Sequence, residues 1–170
     1  MHDLTDRHLV LIGMMGAGKT TVGRVIAARL GRPLLDSDEM IEAREGRTVR
    51  EIFNTDGEHA FRAIETEVLA EALDNPKKAI IAAAGGVVLR PENRELLRRS
   101  GARIVWLRAD PAVLAERVKS GGHRPLLDHD PRGTLQKMYD DRAALYRDVA
   151  DAIVSVDNRT VNEVAEAVLR

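Results

Sequence analysis

Residues Gly13-Met14-Met15-Gly16-Ala17-Gly18-Lys19-Thr20 constrain this chain more than any other stretch. They follow the apolar run Leu9-Val10-Leu11-Ile12 and precede Val22, Val25, Ile26 and Leu30 at helical spacing. The order is therefore strand, glycine loop, helix. A glycine, four residues and Gly-Lys-Thr make the phosphate-cradling P-loop pattern. Glycines lack Cβ, so the backbone can take positive φ and come close to an anion. Successive backbone N–H groups then point inward as a nest, and the helix adds its positive N-terminal end. Met15, Gly16, Ala17 and Gly18 are the loop residues expected to meet nucleotide phosphates. Lys19 supplies a point charge for the outer phosphates, and Thr20 offers a hydroxyl to Mg²⁺, which prefers hard oxygen ligands. The plain alternative is a glycine-rich turn with a solvated lysine; the flanking strand and helix favour the phosphate site. The loop identifies a phosphate donor and leaves the acceptor open.

Composition narrows the classes. The chain has 170 residues, net charge −1, and 44% hydrophobic and 31% charged residues, as for an ordinary globular domain. Neither bulk nucleic-acid nor membrane binding is expected, and aromatics at 3% leave little for base-stacking platforms. There is no cysteine, so thiolate metal sites and disulfides are excluded. The N-terminal residues Met1 to Arg7 carry no apolar signal core, and no apolar run approaches a spanning helix of roughly 20 residues. The expectation is a cytoplasmic protein.

Strands are expected over His8–Ile12, Pro33–Asp36, Lys78–Ala83, Arg103–Leu107 and Ala152–Ser155. Helices are expected over Lys19–Leu30, Glu39–Arg44 (capped by Ser37 or Asp38), a short one after Thr48 to about Phe53, and Glu58–Leu73. Pro91–Arg99, Pro111–Lys119, Arg132–Val149 and Val161–Leu169 follow, with Asn54–Gly57 read as a turn. Strands alternating with helices imply an α/β fold with a parallel sheet. No repeat or linker divides the chain, so residues 1–170 read as one domain.

Several residues stand out as chemical candidates. The third strand carries no acid at its end, whereas Asp36 and Asp38 follow the second strand. Residues two apart at a strand end point the same way, and ligands of open α/β sheets bind at the carboxyl ends of strands. One carboxylate can support Mg²⁺ through water while the other takes a proton from an attacking hydroxyl; a helix cap is the plain reading of Asp38. Gly85-Gly86 is either a flexible turn or a close backbone approach to ligand, and spacing does not choose. Arg142 falls on the apolar stripe Leu135, Met138, Leu145, Val149, which suits a pocket holding an anion better than a snorkelling side chain. Arg62 lies four residues after Glu58 and three before Glu65, which surface ion pairs explain. Gly121-Gly122-His123-Arg124-Pro125 reads equally as a solvated loop or a hinged lid whose arginine stabilises a transferring phosphoryl group.

Taken together, these residues resemble the shikimate kinases of the nucleoside monophosphate kinase-like fold. The resemblance covers essentially the whole chain. It rests on residues 13–23, Leu35-Asp36-Ser37-Asp38, Phe61-Arg62 with Glu65, the glycine loop at 85–86, Arg124-Pro125-Leu126-Leu127, and Arg142 with Leu145-Tyr146. It implies a three-layer P-loop kinase with a five-stranded parallel sheet in the order 2-3-1-4-5. A mobile lid at about 120–130 and a substrate-binding helical region at about 38–73 are implied with it. It implies transfer of the γ-phosphoryl group of ATP, with Mg²⁺, to the 3-hydroxyl of shikimate by a monomer. Asp38 is then the candidate base and shikimate ligand, Asp36 supports Mg²⁺ through water beside Thr20, and Arg62 and Arg142 pair with the shikimate carboxylate. Gly85 and Gly86 meet the substrate through backbone, Arg124 covers the phosphates, and Arg159 lies near adenine with Arg117 or Lys119. The family usually has three glycines after the third strand, and here Ala84 replaces the first; its methyl is harmless if its φ is negative. The alternatives are another small-molecule kinase, such as one for gluconate, and a nucleotide-binding module without acceptor chemistry.

Overall fold

The structure, a computed structural model, describes residue 4, residues 6–119 and residues 130–170. Strands β1 (Leu9–Ile12), β2 (Leu34–Asp36), β3 (Ile80–Ala82), β4 (Arg103–Arg108) and β5 (Ala152–Ser155) form one sheet in the order β2-β3-β1-β4-β5. Every neighbouring pair is parallel, as the sequence leads one to expect. All four residues of β1 are fully buried, because helices cover both faces of a parallel sheet. Each such Leu, Val or Ile contributes about 1.5–3 kcal/mol through burial.

The helices are α1 (Lys19–Leu30), α2 (Ser37–Glu45), α3 (Val49–Asp56), α4 (Glu58–Leu73), α5 (Pro91–Arg99), α6 (Pro111–Lys119), α7 (Pro131–Val149) and α8 (Val161–Leu169). Helices α1 and α8 pack on each other, α1 on β1, β2 and β3, and α8 on β5. Helix α7 packs on β4, with α5 and α6 against it. Beside this main core, α2, α3 and α4 enclose a smaller one of Ile41, Ile52, Phe61 and Val68, with the Phe53 and Phe61 rings 4.6 Å apart. That second core fixes the wall on which Arg62 sits.

Parallel register decides what meets at the carboxyl edge. Leu11 pairs with Ala82 and Asp36 with Ala82, so the P-loop, Asp36 and the turn after β3 emerge side by side. Local chemistry differs from expectation in two places. Helix α2 starts at Ser37, and its cap is Asp36, whose side chain accepts the N–H groups of Asp38 and Glu39. The capping residue is the one that keeps extended backbone, here φ −100° and ψ 120°. Helix α3 continues through the expected turn to Asp56, whose carboxylate holds Arg47 at 2.6 Å, and Gly57 at φ 89° makes the break instead. A full capping box closes the start of α8 through Thr160 and Glu163.

His8, just before β1, is buried; its Nδ1 accepts the Ala79 N–H at 3.0 Å and its Nε2 has no partner. Burial first, and then the charge of Lys78, holds its pKa below the ordinary 6.5. The unfolded chain therefore binds the extra proton first, so stability is complete above the unfolded pKa and is lost as pH falls below it. Between pH 7 and pH 5.5 the urea midpoint of the wild type should fall more steeply than that of His8→Asn, which cannot titrate. Parallel slopes in paired denaturation curves would show that His8 is not the sensing group.

Candidate active site

The glycine loop at the end of β1 is built as its sequence requires. Gly18 is the N-cap of α1 at φ 96°, a left-handed conformation that favours glycine. Gly13 is held at φ 145°, and a Cβ there would lie 2.5 Å from the Leu107 carbonyl oxygen, so β4 leaves no room for a side chain. Lys19 Nζ reaches back over the loop and donates to the carbonyls of Gly13 and Met14, at 2.5 and 3.1 Å. From outside, Arg117 Nη1 donates to the Gly16 carbonyl at 2.8 Å, tying α6 to the loop.

Thr20 Oγ1 donates to Asp36 Oδ2 at 2.5 Å, while Asp36 Oδ1 caps α2. One carboxylate thus ties the first turn of α1 to the corner of β2 and α2. Because Asp36 does the capping, Asp38 is not needed as a cap. Asp38 instead lines both of two adjoining cavities. One, of about 280 Å³, is floored by Gly16, Gly18, Lys19, Thr20 and Asp36. The other, of about 400 Å³, is lined by Arg62, Glu65, Gly86, Arg142 and the apolar residues Val49, Phe53 and Phe61. Met15, Asp38, Ala84 and Gly85 belong to both linings, so they form the partition between the two spaces.

The larger cavity holds two buried guanidinium groups, Arg62 at 8% and Arg142 at 5% exposure. Arg62 Nη1 donates to both oxygens of Glu65 at 3.1 Å, and Nη2 to Glu58 at 3.3 Å. Its Nε is buried without a hydrogen-bond partner. Leaving a buried donor unpaired costs about 1–3 kcal/mol. Burial pushes the Glu65 carboxyl up, against the pull of Arg62 and Arg142. The Gly85-Gly86 turn runs between the two arginines. A methyl on Gly86 would overlap the Arg62 guanidinium, and one on Gly85 would lie 3.3 Å from the Met15 N–H and 3.7 Å from Arg142 Nη1. The turn is therefore packed closely against Arg62 and Met15 at these two glycines.

Ser37 Oγ accepts the Ala84 N–H at 2.9 Å, joining the β2–α2 corner to this turn. Ala84 is absent from the residues with positive φ and is buried, so its methyl sits in the partition without backbone strain.

A phosphate cradle and a cationic, partly apolar pocket thus share a carboxylate wall. This is the arrangement of a phosphoryl donor site beside a site for a small anionic acceptor. The sequence model of the shikimate kinase family matches residues 15–170. The chain is 44% identical over 165 residues to the shikimate kinase of Symbiobacterium thermophilum, covering 95% of this chain and 94% of that one. The chain belongs to the shikimate kinase family. Like the family, it is an ATP-dependent phosphotransferase. Its fold superposes on the shikimate kinase from Acinetobacter baumannii in complex with shikimate with a TM-score of 0.92, at 37% identity, over 97% of this chain and 92% of that one. A gluconokinase from Sinorhizobium meliloti shares the fold alone, with a TM-score of 0.57 at 23% identity over 96% of this chain and 89% of that one.

Of the residues singled out in the sequence, Met15, Gly16, Gly18, Lys19, Thr20, Asp36, Asp38, Arg62, Gly85, Gly86 and Arg142 line the two cavities. Ala17 is buried in the loop itself. Arg124 and most of the expected lid lie outside the described residues, as does the side chain of Lys119. Arg159 is exposed after β5, where its charge acts on Glu163, and it is absent from both linings. Sequence reasoning missed Glu42, Val49, Arg50 and Phe53 as cavity wall. It also placed Leu145 on the buried stripe of α7; Leu145 is half-buried against the core, and its neighbour Tyr146 is fully buried. Spacing from Arg142 admits either residue, and the greater hydrophobicity of leucine misdirects the choice.

Proposed function

We propose that this protein transfers the γ-phosphoryl group of ATP to the 3-hydroxyl of shikimate. The observation that carries the reading is the shared wall, in which Asp38 lines both the P-loop cavity and the cavity with the two buried arginines. The phosphates bind the N–H groups from Met15 to Thr20, with Lys19 leaving the Gly13 and Met14 carbonyls for the outer phosphates. The shikimate carboxylate pairs with Arg62 and Arg142, whose forks match a planar carboxylate. Its ring rests near Phe53 and Phe61, and its hydroxyls meet Asp38 and the Gly85-Gly86 backbone. Arg124, from the lid at about 120–130, completes the charge around the phosphates, and Arg159 with Arg117 or Lys119 serves the adenine side.

In the transfer, a bond forms between the shikimate 3-oxygen and the γ-phosphorus while the bond from that phosphorus to the β,γ-bridging oxygen breaks. The hydroxyl proton passes to Asp38 and ADP leaves. ATP-dependent kinases require a divalent cation, and we assign it as Mg²⁺. Thr20 and, through water, Asp36 suit it, since both offer hard oxygen and no cluster of three acidic or His ligands occurs among the described residues. When bound, the ion neutralises and aligns the β- and γ-phosphates.

No helix of the described residues is long and apolar enough to cross a membrane. We place the enzyme in the cytoplasm as a monomer without a nucleic-acid partner. Support comes from the near-zero net charge and from Leu30, Ile153 and Val161 being the exposed large hydrophobic residues among those described. A coupled ADP-release assay over a panel of hydroxy acids tests the function. Release should require shikimate and Mg²⁺ together. Gluconate driving release where shikimate does not would replace the reading by the sugar-acid kinase one. ATP binding with no acceptor turnover would replace it by the nucleotide-binding module.

A further inference from the structure

Tyr146 lies deep in α7, one helical turn beyond Arg142, and is fully buried. Its ring stacks on Trp106 of β4, with centroids 5.4 Å apart. The hydroxyl does not stop at the core. It donates to the Gly85 carbonyl oxygen at 2.5 Å, across 61 residues of sequence. Arg142 lies beside the same turn, where a Cβ on Gly85 would be 3.7 Å from its Nη1, and its charge opposes the effect of burial on the Tyr146 hydroxyl. The Gly85 carbonyl is the backbone group that fixes the orientation of the next peptide, and with it the N–H of Gly86. A turn with two glycines has many alternative conformations; a buried hydrogen bond to its carbonyl selects one of them.

We propose that Tyr146 is a positioning residue that locks Arg142 and the Gly85-Gly86 turn into a single acceptor-binding arrangement. It touches neither nucleotide nor acceptor. It holds the turn directly, through the Gly85 carbonyl, and Arg142 through the turn that lies beside it. Burial pushes its pKa up to about 12, so the hydroxyl stays protonated and remains a donor through neutral pH. The stack on Trp106 anchors that oxygen to β4, next to the strand that launches the P-loop. The inference rests on the acceptor reading given above.

The test is Tyr146→Phe, which keeps the ring and removes only the hydroxyl. Loss of one hydrogen bond predicts a rise of roughly five- to tenfold in the KM for shikimate. The KM for ATP should stay within about twofold, and the melting temperature should fall by a few degrees, because the stack is preserved while the buried Gly85 carbonyl loses its donor. An unchanged shikimate KM, or a parallel change in both KM values, overturns the proposal. The wild-type rate in the same assay reports on the acceptor reading, and a wild-type enzyme inert to shikimate overturns both. Should Tyr146→Phe fail to fold, the intact hydroxyl can be followed instead. The chain has two tyrosines, so 3-fluorotyrosine incorporated into Tyr139→Phe labels Tyr146 alone. Its ¹⁹F resonance should shift in proportion to shikimate saturation, and a resonance unmoved at saturating shikimate rejects the role.

Discussion

Asp38→Asn is expected to lower kcat by about 10²- to 10⁴-fold, the range for losing a positioned proton acceptor, with ATP affinity within about twofold of wild type. Asn is isosteric and can still accept from a substrate hydroxyl, so the loss isolates charge and proton acceptance. The helix should survive the change, because Asp36 provides the cap of α2. Asp38 faces both cavities, and its neighbours on the partition, Met15, Ala84 and Gly85, offer no second carboxylate. Single-turnover measurement at saturating ATP and shikimate checks this directly. Near-normal turnover would remove Asp38 as the proton acceptor and leave positioning as its contribution, since phosphoryl transfer depends more on alignment than on base strength.

Arg142→Ala should raise the KM for shikimate by about two orders of magnitude, as truncating one partner of a buried charge pair costs 2–5 kcal/mol. The KM for ATP should be nearly unchanged. The second guanidinium cannot compensate, because Arg62 is already committed on one edge to Glu65 and Glu58. Arg142→Lys should restore only part of the affinity; it returns the charge but not the planar fork. Isothermal titration with shikimate measures the effect without turnover. Equal affinity for wild type and Arg142→Ala would place the carboxylate elsewhere.

The donor half of the site was legible because its geometry is local. Strand, Gly-x-x-x-x-Gly-Lys-Thr and helix occupy adjacent residues, and phosphate binding needs backbone conformation more than distant partners. Asp36 and Asp38 were legible as a pair, since strand ends in a parallel sheet share one edge. Their division of labour was not: which residue caps α2 depends on which backbone stays extended, and Ser37, Asp38 and Asp36 all carry capping side chains. Arg62 shows the limit most clearly. Its spacing to Glu58 and Glu65 is the same for an exposed ion pair and for a buried one. What buries it is the packing of α4 against α2 and α3 and the approach of Gly86, which lies 24 residues away in sequence. The resemblance to the shikimate kinases corrected that reading; periodicity did not. The role of Tyr146 was hidden for a related reason. Spacing from Arg142 leaves it an alternative to Leu145, and the destination of its hydroxyl is set by a tertiary contact with Gly85.

The proposed function requires that the cavity of Arg62 and Arg142 hold the acceptor while the P-loop cavity holds the donor, with Asp38 between them. A crystal structure with shikimate, Mg²⁺ and a non-hydrolysable ATP analogue measures this most directly. The expected result is the carboxylate between the Arg62 and Arg142 guanidinium groups and the 3-hydroxyl facing both Asp38 and the γ-phosphate. Shikimate bound with its carboxylate toward Lys19, or with no hydroxyl in reach of Asp38, would contradict it.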